Sequence, residues 1–165
     1  MNDYIQLKKR DIFKLGIKDE NGNPKLDKDG HEVFIEFDLE DINLPDNYSK
    51  CVYLVKKASS TLKNDMIIID KKQDSKGKGF MTKNEELKTQ AIKKFYNSTV
   101  EAMDLFLGKG GTNKIFGEVR YLTMFDDLSE ILGPIMPKLK INMNSIEEKI
   151  KSKYKIQDSS VLKNE

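Results

Sequence analysis

The chain has 165 residues, of which 38% are hydrophobic and 34% charged, with 29 basic and 27 acidic side chains and a net charge of +2. That length suits one domain, or one domain with a tail, large enough to bury a core without staples. The near-balance of charge argues against a dedicated nucleic-acid binder. The single cysteine, Cys51, excludes an intramolecular disulfide and a cysteine-based zinc site.

Residues 1–10 hold a basic trio, Lys8, Lys9 and Arg10, and no apolar stretch of the kind a secretory signal needs. The longest purely apolar run, Met66 to Ile69, falls far short of a membrane span. The reading is therefore of an intracellular protein, with no membrane partner.

Phe13, Leu15 and Ile17 alternate with Lys14, Gly16 and Lys18, a period-two strand pattern. Asp19 to Gly30 is dense in Asp, Asn, Gly and Pro, as in a hairpin tip. Val33, Ile35, Phe37 and Leu39 alternate again, so the two runs are expected to pair antiparallel with one apolar face. A lone hairpin is marginal in water, and that face must pack on something.

Pro45 suits a helix's first turn. Beyond it Tyr48, Cys51, Val55, Ala58, Leu62, Met66 and Ile69 recur at spacings of three and four, one stripe on a long helix. Asp70 to Lys83 breaks the pattern with glycines and lysines and reads as a flexible linker. A second helix is expected from Thr82 or Asn84, with Glu85 and Glu86 complementing its dipole. Its stripe holds Leu87, Ala91, Phe95, Ala102 and Phe106, and Gly108 ends it.

Thr112 is expected to cap a short turn with Ile115 and Phe116, closed by Gly117. Another helix is read over Leu122, Phe125, Leu128 and Leu132, kinked or ended by Gly133, Pro134 and Pro137. Ser145 with Glu148 reads as a capping box for a short helix carrying Ile146, Ile150 and Tyr154. Residues 156–165 read as a frayed tail, and no internal repeat is evident. The fold expected is α+β and mostly helical: an N-terminal antiparallel β-hairpin followed by a three- to four-helix bundle over residues 1–140, then a short helix and tail over 141–165.

Catalytic chemistry finds little support. His31 lies at the hairpin tip and Cys51 on an apolar stripe, where cysteine acts as a small hydrophobe. The segment Asp19 to Gly30 opens like a calcium loop, but Pro24 and Gly30 stand where an EF-hand needs glycine and glutamate. Gly108-Lys-Gly-Gly-Thr112 lacks the spacing of a phosphate loop and follows a helix. The pairs Asp126–Asp127 and Glu147–Glu148 read as solvated faces. Lysines cluster over 8–10, 63–83 and 138–155, with only thin aromatic interleaving. No catalytic residue, metal site or cofactor is assigned, and the chain is expected to be a binding protein rather than an enzyme.

Several segments in order carry a resemblance: Phe37-Asp38-Leu39 ending a strand, Ala91-Ile-Lys-Lys-Phe95 and Phe106-Leu-Gly108 on the second helix, Thr112-Asn-Lys-Ile-Phe-Gly117, and Phe125-Asp-Asp-Leu128. Over about residues 31–139 the chain resembles the small tail assembly chaperone-like proteins of phages and prophages of Gram-positive bacteria. The hairpin tip and the extension after Leu139 are longer than in that pattern. The resemblance implies binding of tape-measure or tail-tube components during tail assembly in the bacterial cytoplasm, with self-association a further expectation. The alternative is a small phage regulatory or nucleic-acid-binding protein. The residues singled out for partner binding are Phe80, Met81, Ile146, Ile150 and Tyr154.

Overall fold

A computed structural model describes residues 5, 7, 9–118 and 133–154. The helix expected around Leu122 to Leu132 and the tail from Ile156 lie outside those residues. The described chain divides into two compact units, residues 12–118 and the remainder.

In the first unit β1 (Ile12–Gly16) pairs antiparallel with β2 (Phe34–Asp38), with Phe13 opposite Phe37 and Leu15 opposite Ile35. Alternation puts Ile35 and Phe37 in the core and leaves Lys14 and Glu36 on the wet face, joined by a 2.7 Å ion pair. This is the expected hairpin with its expected apolar face.

The tip contains a feature the sequence reading missed. Asp19-Glu-Asn-Gly-Asn23 and Asp27-Lys-Asp-Gly-His31 are two successive copies of one turn. In each, the aspartate Oδ1 accepts from the backbone two and four residues on, at 2.8–2.9 Å, and the glycine has φ near +80° (Gly22 81°, Gly30 84°). Lys25 lies between the copies. Its N–H donates to Ile17 O and its carbonyl accepts from Val33 N–H, both at 2.8 Å. Its Nζ donates to Ile115 O at 2.6 Å, tying the tip to a distant helix.

The long helix α1 (Leu44–Asp70) starts with Pro45 in its first turn, and the Met66–Ile69 run is helical. Helix α2 (Lys83–Leu107) opens with a capping box: Glu85 N–H donates to the Thr82 hydroxyl, and Thr82 N–H donates to Glu85 Oε2 at 2.7 Å. It stops at Gly108. The two helices run antiparallel. Tyr48 meets Phe106 at one end, with ring centroids 5.4 Å apart, and Asp70 pairs with Lys88 at the other.

The hairpin docks where α1 begins and α2 ends. The Phe37 ring lies 5.2 Å from that of Phe106, which is itself flanked by Tyr48. Ala102, Met103 and Leu107, near the same end of α2, are buried as well. Each large apolar side chain removed from water here contributes about 1.5–3 kcal/mol.

Helix α3 (Gly111–Phe116) is capped differently from the expectation. Thr112 is not its cap. Gly110 occupies that position with φ 72°, and the carboxylate of Asp104, on α2, takes the N–H groups of Gly110 and Thr112. Gly111 is there for closeness, because an added Cβ would stand 2.6 Å from Leu107 Cβ.

The segment between α1 and α2 is also more ordered than a flexible linker. Ser75 O accepts from Lys83 N–H at 2.9 Å, Asp74 Oδ1 accepts from Asn84 N–H at 3.0 Å, and Asn84 Nδ2 donates to Lys72 O at 3.0 Å. The Asn84 side chain at the α2 start thus reaches carbonyls at the α1 end, Ile69 O among them at 3.3 Å.

In the second unit α4 (Met136–Tyr154) runs for 19 residues. Pro137 falls in its first turn, where a missing N–H costs nothing. Ser145 is inside the helix and caps no terminus. Ile135 and Leu139 are buried, and a Lys151–Glu147 pair at 2.8 Å supports the last turns.

Candidate binding groove

Two antiparallel helices present a groove along each side of their seam. On one side of the α1–α2 pair it is open, with a volume of about 540 Å³. Ala58 and Leu62 from α1, and Ala91, Phe95 and Ala102 from α2, line it; Leu54 and Leu105 lie toward the hairpin end. The small alanine side chains create the space, since larger ones at those positions would fill the groove. Leu105 is 46% exposed.

Charge is balanced along the rims. Lys57 and Asp65 lie two turns apart on α1, and Lys94 and Glu101 stand on α2. A shallower extension reaches Ile68 and Leu87, sharing Asp65, Ala91 and Lys94 with the main groove. An apolar floor between rims of mixed sign suits a helix with one apolar stripe and flanking charges.

The residues singled out from the sequence fall elsewhere. Phe80 and Met81 are adjacent on the α1–α2 loop, Phe80 exposed and Met81 half-buried. Ile146, Ile150 and Tyr154 share one face of α4 at spacings of four, the first half-buried and the others exposed. The groove residues were read only as core stripe. The signal that marks them is the alanine content of both facing stripes, together with opposite charges flanking each.

The sequence's catalytic look-alikes are engaged in other work. The His31 imidazole is exposed, with Nδ1 3.8 Å from Asp27 Oδ2. Cys51 is 1% exposed and burial pushes its thiol up to about 11, far from a reactive thiolate. The amides of the glycine-rich turn before α3, which in a phosphate loop would face an anion, already face Asp104. Asp19, at the head of the calcium-like segment, uses Oδ1 to close its own turn. Among the described residues no group of three or more His, Cys, Asp or Glu is placed to hold a metal ion. No described helix is long and apolar enough to cross a membrane.

No family model, curated protein or solved structure matches the chain.

Proposed function

We propose that the chain is a non-enzymatic binding protein of the phage tail assembly chaperone-like kind, acting in the bacterial host cytoplasm. In this reading the α1–α2 groove receives an amphipathic helix from a tail component, the tape measure or the tail tube, and shields its apolar stripe until assembly.

The observation that supports this is the open groove itself, with an alanine-rich floor and rims of both signs. Small residues let a guest helix approach closely. Lys57 and Lys94, with Asp65 and Glu101, offer partners to charges of either sign beside its stripe. The order of segments from Phe37-Asp38-Leu39 to Ile115-Phe116-Gly117 adds the phage context by resemblance.

The test is isothermal titration of the full chain with peptides covering the helical stripes of a tape-measure protein and of a tail-tube protein. Binding of one peptide is expected, with loss on Ala58→Arg or Ala91→Arg, which fill the groove from half-buried positions on its floor. If no peptide binds, or if binding survives both substitutions, the reading is wrong.

A further inference from the structure

Phe80, on the loop between α1 and α2, is 98% exposed. A phenylalanine side chain left in water forgoes the stabilisation that burial gives an aromatic ring. The loop that presents it is held by a dense set of bonds. Lys76 and Thr82 form a bridge, Met81 N–H donates to Lys78 O at 3.3 Å, and Lys78 N–H donates to Glu86 Oε1. Gly77 is pressed against the returning strand, where an added Cβ would stand 2.6 Å from Met81 O. Asp74 accepts from Ser75 N–H at 2.8 Å and from the Thr82 hydroxyl.

The loop carries a positive excess. Lys71, Lys72, Lys76 and Lys78 form no ion pair among the described residues. The neighbouring acids are engaged: Asp70 with Lys88 at 2.5 Å, Asp74 with the α2 cap, and Glu86 with the Lys78 N–H and Lys83.

We propose that this loop is a docking knob, with Phe80 entering an apolar pocket of a protein partner whose rim carries Asp and Glu. A ring on a prefixed loop binds with little further ordering cost, and aromatic anchors in pockets dominate interface energetics. The four lysines supply complementary charge for that rim and speed encounter. Nucleic acid fits less well. One ring makes no platform for successive bases. Phe80 lines neither the groove nor its extension, and the two sites succeed or fail independently.

The experiment selects a random peptide library, displayed on messenger RNA, against the full chain, with the Phe80→Ala chain as counter-selection. Recovered peptides are expected to join an apolar cluster to flanking Asp and Glu. Synthesised, they should bind more weakly as salt rises and lose on the order of thirty-fold in affinity to Phe80→Ala. The same peptides should weaken with Lys76→Glu/Lys78→Glu and with Gly77→Ala, while the groove variant Ala91→Arg leaves them unaffected. Circular dichroism of each variant should match the parent. Peptides that lack acidic enrichment, or none that depend on Phe80, would overturn the proposal. So would Phe80-dependent binding of an oligothymidine strand, which would mark the loop as a nucleic-acid contact.

Discussion

The Asp104 carboxylate, in the last turn of α2, receives the hydroxyl of fully buried Thr112 at 2.6 Å and the Thr112 N–H at 2.9 Å. One side chain thereby closes the glycine turn after α2 and caps the start of α3. Removing it leaves a buried hydroxyl and two amides without their acceptor. Asp104→Ala is expected to cost about 2–3 kcal/mol, and Thr112→Val about 1–2. Urea unfolding midpoints measure both. A cost near zero for Asp104→Ala would mean that α3 is held by its apolar contacts alone.

Phe106 joins the sheet to the helices, with Phe37 on one side and Tyr48 on the other. Phe106→Ala should destabilise by about 3–5 kcal/mol, and Phe106→Leu by clearly less, since leucine retains most of the volume. Thermal unfolding ranks the two. Equal losses would point to ring–ring geometry rather than filled space as the main contribution.

The four carboxylates Asp27, Glu36, Asp74 and Glu86 are all held below their ordinary ionisation range. The chief cause is, in turn, the His31 N–H, the Lys14 ammonium, the Thr82 hydroxyl and the Lys78 N–H. The folded chain therefore binds fewer protons than the unfolded chain in that range. This contribution is present above the usual carboxylate value of about 4 and fades as pH falls through the lower folded values. Urea midpoints should drop steadily below about pH 4.5, and Asp74→Asn should make the slope shallower. An unchanged slope would show that the cap does not discriminate between the two protonation states.

Cys51 offers a converse test. Its raised thiol should be inert to a disulfide reagent at about pH 8 in the native chain and react once the chain is unfolded in urea, as followed by absorbance. The raised value also means that the buried thiol favours the folded state fully below about pH 8.5 and less as pH climbs toward 11. Rapid native-state reaction would place Cys51 outside the core.

Local periodicity made much of this architecture legible. Ile35 and Phe37 stand out in a run of period two, and Thr82 with Glu85 announces where α2 begins. The harder features depend on partners distant in sequence. Thr112 looks like a cap because the threonine type suits that position, but the carboxylate of Asp104 arrives from the preceding helix and takes the role. Ser145 and Glu148 match a capping box, yet the helix continues through them because no breaker follows Pro137. The groove was hidden for a related reason. Ala58 and Ala91 satisfy an apolar stripe whether a neighbour covers them or not, and a stripe does not reveal which part of its width meets its mate. Phe80, by contrast, sits with Met81 in a run of lysines and glycines, and its exposure is readable from that setting.

The Lys25–Ile115 bond spans 90 positions, whereas the strand pair and the helix pair each close over a short stretch of chain. Segments that meet locally assemble quickly, and closing a long loop adds an entropic toll that only later contacts repay. Two prefabricated halves, the strand pair and the helix pair, would therefore form first and join through Phe37 and Phe106. The ammonium of Lys25 then acts as a latch on the finished joint, and a nick anywhere in the twin-turn tip would weaken the latch while leaving both halves standing.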